Sequence, residues 1–210
     1  PPRRPYAARM APLDRHRQLL DAALRIIIRD GYAAVSIEAI AREVDVSRPV
    51  IYGVFAGLGD LLGALLDRQE RRALAQLAAA LPAPSGGQDP PDRVIIDAVR
   101  SFVEVVVGDP DTWRPILLPP EGTPKVVRER VDRDRERVRR QLEALLASAL
   151  DRRGAPPEVD VELASHLLLA VGEYSGRLVL SDPHRFSAQR LAGFVEGLLT
   201  RHPGLGPPAA

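Results

Sequence analysis

At 210 residues with 45% hydrophobic side chains, the chain is long enough to bury a core and too apolar for a disordered polymer. The absence of Cys excludes disulfides, thiolate metal sites and cysteine nucleophiles, and no apolar run approaches the ~18 residues of a membrane span. A net charge of +1 is too small to mark a generic nucleic-acid binder, so any such function must rest on a local motif. With no charged-then-apolar leader pattern, the expectation is a cytoplasmic protein without a membrane partner. Alternation of β-branched residues is almost absent, which predicts an all-α fold.

Residues 1–12 interleave Pro1, Pro2, Pro5 and Pro12 with Arg3, Arg4 and Arg9, too proline-broken for a helix and too polar for a core. They read as a flexible basic arm, the kind of segment whose Arg3 and Arg4 can reach a minor groove. From Leu13 to Asp30, Leu20, Ala23, Leu24, Ile27 and Ile28 form one apolar helical face, and Gly31 stands where a C-cap belongs. Tyr32 begins a connector to Ser36.

Ser36 to Phe55 organises the rest. Ile37, Ile40, Ala41 and Val44 recur at helical spacing behind Ser36 as N-cap, Asp45-Val46 breaks the pattern, and Ser47 N-caps a second helix that runs to about Phe55 with Pro49 in its first turn. Two short helices joined by such a turn form a helix-turn-helix, whose second helix enters the major groove. Val46, Ile51 and Phe55 are spaced to face inward, whereas Arg48, Pro49, Val50, Tyr52 and Gly53 lie outward near the helix start. Arg48 can bind phosphate or guanine, and Val50 can meet a thymine methyl. Residues 1–58 carry nine Arg against six acids, so the positive excess sits where the motif needs it.

Residues 19–62, LLDAALRIIIRDGYAAVSIEAIAREVDVSRPVIYGVFAGLGDLL, resemble the N-terminal domain of TetR-family transcriptional regulators. The resemblance is carried by Gly31-Tyr32, Ser36-Ile37, Ile40-Ala41, Val46-Ser47 and Tyr52-x-x-Phe55. It implies DNA contact by Ser36, Ser47, Arg48, Pro49, Val50, Tyr52 and Gly53, with Tyr52 matching the family's phosphate-contacting tyrosine. Asp45 departs from the usual turn glycine, Gly53-Val54 from an aromatic-histidine pair and Leu58 from a lysine. Asp tolerates the left-handed conformation better than most residues, so the turn is expected to survive.

The chain continues with a predicted helix over 58–81, a Pro/Gly loop over 82–91, and helices over 92–107 and 113–118, the latter holding Trp113. Helices follow over 125–153, 158–181 and 185–202, giving about nine in all. The first half of 125–153 pairs Arg128/Asp132, Glu129/Arg133 and Glu136/Arg140 at i,i+4, a solvated face in which interleaved acids argue against a second nucleic-acid site. Gly172/Gly176 and Gly193/Gly197 each cost about 1 kcal/mol inside a helix, which suggests close approach of a helix or ligand.

The domain division is expected at 1–58, a DNA-binding head, and 59–210, a helical body. The resemblance implies a homodimer built on the last two helices through Leu167, Val171, Leu191, Phe194, Val195 and Leu198. It also implies an inducer pocket lined by Phe102, Val106, Trp113, Leu117 and Tyr174, with His166, Glu173 and Arg177 as polar anchors. Glu173/Arg177 equally fits a surface ion pair, and Trp113 a core plug. The implied function is that of a repressor on a palindromic operator released by a small molecule, with no cofactor, metal or catalytic site. The alternatives are a related body serving as a ligand or protein binder with weak or lost DNA binding, and remotely a helical hydrolase. Against the hydrolase, the four histidines show no paired-ligand spacing, and neither GxSxG nor a Gly-rich phosphate loop occurs.

Overall fold

The computed structural model describes residues 11–80, 91–151 and 159–201. The expected basic arm with Arg3 and Arg4, the loop 82–91 up to its last residue and the side chain of Leu198 lie outside the described residues. Among the described residues the fold is all-α: α1 (Pro12–Asp30), a 3-10 turn (Tyr32–Ala34), α2 (Ile37–Glu43), α3 (Arg48–Tyr52), α4 (Leu58–Ala80), α5 (Pro91–Gly108), α6 (Pro110–Leu117), α7 (Lys125–Asp151), α8 (Val161–Ser181) and α9 (Ala188–Arg201). Two compact units divide the chain, Pro1–Glu70 with Pro120–Pro124, and Arg71–Pro119 with Lys125–Ala210. α4 therefore continues from one unit into the other.

In the first unit, α1 presents Leu19, Leu20, Ala23, Ile26 and Ile27 to a core completed by Ile37 and Ile40 of α2, Ile51 of α3, Phe55, and Leu61 and Leu65 of α4. The predicted C-cap holds: Gly31 has φ 82° and its N–H donates to the Ile27 carbonyl at 3.0 Å. That positive φ suits glycine, which has no β-carbon to oppose it. A second cap, Ser36 Oγ accepting from the Ala39 N–H at 3.0 Å, starts α2 as expected.

In the second unit α8 packs on α5, α6 and α7, and α9 packs on α5. The core gathers Ala73 of α4, Val99, Val103 and Val106 of α5, Trp113 and Leu117 of α6, and Val179 and Leu180 of α8. α6 begins with Pro110 at its first turn, where the missing N–H costs nothing. Its Pro115 fits because so short a helix has few internal bonds to lose.

The charged helix α7 departs from a wholly solvated face. Glu136 does pair with Arg140 at 2.9 Å, but Arg139 is buried against α8, where it donates to Glu136, Glu143 and Ser165 Oγ. A guanidinium can be buried once its donors are occupied by charged acceptors.

Candidate nucleic-acid interface and ligand cavity

The geometry of the reading helix follows from its turn. Asp45 takes φ 51°, the only positive φ outside glycine among the described residues, so the aspartate does adopt the left-handed conformation of the turn. The Val46 N–H then donates to the Ala41 carbonyl at 3.0 Å, which tucks Val46 against the head core and starts α3 two residues later. α3 is a single turn and a half, ending at Tyr52 rather than near Phe55; Ile51 is fully buried beneath it.

The outward side of α3 exposes Arg48, Pro49, Val50, Tyr52 and Gly53 together, the set singled out from spacing, with Ser47 exposed just before them. Val50 is 38% and Tyr52 57% exposed, so both side chains are open to a partner. The Ser47 hydroxyl makes no capping hydrogen bond, contrary to its expected role, while Ser36, half-buried, is engaged as a cap. Arg48 Nη1 donates to Glu38 Oε1 at 2.9 Å across the two helices. That hydrogen bond, with one from its own backbone, holds the Glu38 carboxyl below the usual carboxylate range. A second carboxylate fixes the motif from behind: Glu43 accepts from Arg25 at 3.0 Å and from Arg29 at 3.3 Å, tying the end of α2 to α1. The Arg25 bond leads in lowering the Glu43 pKa, against a smaller effect of burial.

The second unit contains a cavity of about 70 Å³ between α4, α5, α7 and α8. Its walls are apolar, formed by Leu77, Val99, Phe102, Leu142, Leu168 and their neighbours, with Glu173 as the ionisable residue. Of the expected lining, Phe102 and Glu173 meet the cavity. Val106, Trp113 and Leu117 sit instead in the packed core, because α5 and α6 turn those positions toward α8 and α9. His166, Tyr174 and Arg177 are exposed, so they do not anchor this cavity. Glu173 is held by Arg135 at 2.5 Å and by Arg177 at 3.3 Å, the i,i+4 pair that spacing allowed plus a partner on α7 that it did not reveal.

Tyr174 belongs to a different surface. Leu163, Leu167, Val171 and Tyr174 fall at i, i+4, i+8 and i+11 on α8, and they are 55%, 60%, 46% and 62% exposed. Phe194 of α9 is similarly exposed. Leu191 and Val195, expected beside it, pack inward against the core instead, since α9 lays that side on α5.

A polar cluster beside Trp113 was not read from the sequence. The Trp113 indole N–H donates to Gln76 Oε1 at 2.8 Å, and Gln76 Nε2 donates to Asp109 Oδ2 at 2.6 Å. Asp109 also accepts from Thr112 Oγ1 at 2.8 Å and pairs with Arg72 at 2.5 Å. Burial acts to raise the Asp109 pKa, but the bonds from Gln76 and Thr112 and the Arg72 charge outweigh it, so the carboxyl lies below its usual range. About two turns before Gln76 on α4, both amide atoms of buried Gln69 lack a partner. The signal for both glutamines was their place on the stripe Leu61, Leu65, Gln69, Ala73 and Gln76, where a polar residue needs a reason. Among the described residues no cluster of His, Asp or Glu has the makings of a metal site, and no helix is long and apolar enough to cross a membrane.

Comparison with known proteins follows the same division. Residues 19–65 match the family model of bacterial regulatory proteins, tetR family. Over 187 residues the chain is 27% identical to the HTH-type transcriptional regulator Rv0472c of Mycobacterium tuberculosis, spanning 87% of this chain and 74% of that one. A TetR-like regulator from Rhodococcus sp. RHA1 shares the fold with a TM-score of 0.71 at 23% identity, over 90% of this chain and 96% of that chain. AibR, solved with isovaleryl coenzyme A and operator DNA, shares it with a TM-score of 0.66 at 19% identity, over 88% and 97% respectively. The chain thus carries the helix-turn-helix head of the tetR family of bacterial regulatory proteins, followed by an all-helical body that shares the fold of TetR-like regulators.

Proposed function

We propose that the protein is a ligand-responsive repressor that binds a palindromic operator as a homodimer in the cytoplasm and leaves it when a small apolar molecule enters the body. The observation that carries this reading is the outward cluster of Ser47, Arg48, Pro49, Val50, Tyr52 and Gly53 over a fully buried Ile51, a reading surface fixed on a rigid base. The functional division falls at 1–58 for DNA and 59–210 for ligand and pairing. Arg48 serves phosphate or guanine, Val50 a thymine methyl, and Tyr52 a phosphate. Arg3 and Arg4 extend the contact into the minor groove.

The α8 stripe of Leu167, Val171 and Tyr174 with Phe194 of α9 is the proposed dimer face, since a row of large exposed apolar side chains on two adjacent helices fits a two-fold helical interface. Phe102 and Glu173 lie at the proposed ligand site. Its apolar walls fit a short aliphatic or aromatic group, and the isovaleryl coenzyme A bound by AibR makes short acyl thioesters the first compounds to try. Ligand must bind the DNA-incompetent state more tightly for release to follow.

A second reading, a ligand or protein binder whose head no longer holds DNA, is favoured by one observation: Arg48 is already paired with Glu38. An exposed pair of this kind is weak and can be exchanged for a phosphate. Sedimentation and footprinting test the first reading. It expects a dimer that protects two half-sites about one helical turn or more apart, whereas a monomer without footprint supports the second.

A further inference from the structure

We propose that Glu38 of α2 is a positioning residue for base recognition, holding Arg48 of α3 so that the free edge of its guanidinium reads a guanine in each operator half-site. This role rests on the proposed DNA-binding function of the head, and it narrows the choice for Arg48 from phosphate or guanine to guanine.

The pairing is not the one that local spacing favours. Glu38 has Arg42 one turn further along the same helix, at the i,i+4 spacing where a glutamate and an arginine ordinarily meet. Its carboxylate instead accepts from Arg48 Nη1 at 2.9 Å, across 10 residues and in the next helix, while Arg42 acts on it by charge. The bond does little for the fold, because both side chains are exposed and exposed pairs add little stability. The turn between the two helices is already fixed by the Val46 N–H bond to the Ala41 carbonyl and by the buried Ile51. What the bond with Glu38 does fix is the direction of the Arg48 side chain.

That direction matters because Arg48 is the first residue of α3, and the start of a reading helix is the part that meets base edges. A guanidinium presents its N–H donors in a planar fork, and Glu38 occupies Nη1. The edge formed by Nε and Nη2 remains, with parallel donors that match the N7 and O6 acceptors of guanine. An arginine already held in place loses less rotamer freedom on meeting a base than one that is free. The charge of Glu38 then decides between base and phosphate. Exchanging the pair for a phosphate would leave the carboxylate unpaired beside a polyanion, whereas a guanine contact keeps it bonded. Exclusion of water from the groove strengthens the retained pair further, since the local dielectric falls.

The test separates positioning from charge. The full chain selects duplexes from a randomised library, each G·C pair of the enriched half-site is replaced in turn by A·T, and binding is measured at one salt concentration. Wild type is expected to prefer guanine by about ten-fold or more at one position of the half-site, the discrimination of a bidentate contact. Arg48→Ala loses that preference. Glu38→Ala is expected to bring it within about two-fold of none, while binding to unrelated duplex holds or rises because a negative charge has left the surface. Glu38→Gln still offers an oxygen to Nη1 and keeps most of the preference. In the Arg48→Ala background, Glu38→Ala should change the preference no further, which marks the two side chains as one unit. Both residues are exposed, so every variant should unfold at the wild-type urea concentration. A Glu38→Ala variant that binds all duplexes tighter by one common factor has lost only a charge, and that overturns the positioning role. Equal weakening of all duplexes by Arg48→Ala, the mark of a phosphate contact, overturns it too. If wild type enriches no duplex, the DNA-binding reading of the head falls and the role of Glu38 with it; an enriched site whose guanine preference survives Glu38→Ala overturns that role alone.

Discussion

In the head, the bonds that orient the helix-turn-helix are short in sequence: Glu43 reaches Arg25 and Arg29 across 18 and 14 residues, and Arg48 reaches Glu38 across 10. In the body, Trp113 reaches Gln76 across 37 residues, and Arg114 reaches the Leu180 carbonyl across 66. The helix-turn-helix itself is thus oriented by near neighbours, with Arg68 of α4 tied back to Asp21 of α1 across 47 residues, whereas the body's helices are joined by distant polar pairs and border an incompletely filled space. This difference suits the proposed ligand-controlled DNA binder, in which the ligand must change something and the DNA-binding surface must not change at random.

The largest expected effect breaks the head at its seal. Ile51→Ala opens a cavity under the reading helix and should cost about 2–5 kcal/mol, read as a lower urea midpoint with the slope unchanged. Arg139→Met in the body should cost less, about 1–2 kcal/mol, since the carboxylates it leaves behind retain access to water and Ser165 keeps its bond to the Glu162 carbonyl. Equal costs for the two would contradict the contrast.

Asp45 sharpens the comparison further. Asp45→Ala should destabilise by about 1 kcal/mol because alanine resists a φ of 51°, whereas Asp45→Gly should be neutral or gain up to about 1 kcal/mol. Thermal melts distinguish the pair, and a loss on going to glycine would mean that the aspartate side chain has a role beyond its backbone.

The smallest effect is a pH dependence on α7. Hydrogen bonds from Arg139 and then Arg140 lower the Glu136 carboxyl from 4.5 to about 2. A depressed folded-state pKa contributes stability that is present above about 4.5 and lost as pH falls toward about 2. Wild type should therefore lose stability over that window more steeply than Glu136→Gln, a difference that acid unfolding curves would register.

Legibility followed the same divide. The C-cap at Gly31, the Ser36 cap, the left-handed Asp45 and the outward row from Ser47 to Gly53 were all readable, because each depends on residues within a turn or two of itself. The end of α3 and the idle hydroxyl of Ser47 were not, since a tertiary contact rather than propensity decides where a single turn stops. In the body, element positions were readable from periodicity, but not which side of each helix meets which neighbour. Tyr174 was grouped with the pocket though its spacing from Leu167 and Val171 put it on their stripe. Leu191 and Val195 were grouped with Phe194 though α9 turns them inward. Arg139 hid among many arginines of α7, and nothing but the three-dimensional placement of Ser165 distinguishes it.

The measurement that tests the central claim most directly is selection of genomic DNA fragments by the full chain across a range of salt, with the double variant Arg48→Ala/Tyr52→Phe beside it. The account predicts that wild type enriches a two-fold symmetric site, that binding weakens steeply with salt, and that the variant loses the enrichment at least ten-fold while unfolding at the same urea concentration. Absence of any enriched fragment at low salt, or equal enrichment by the variant, would contradict the assignment of this head as a reader of DNA.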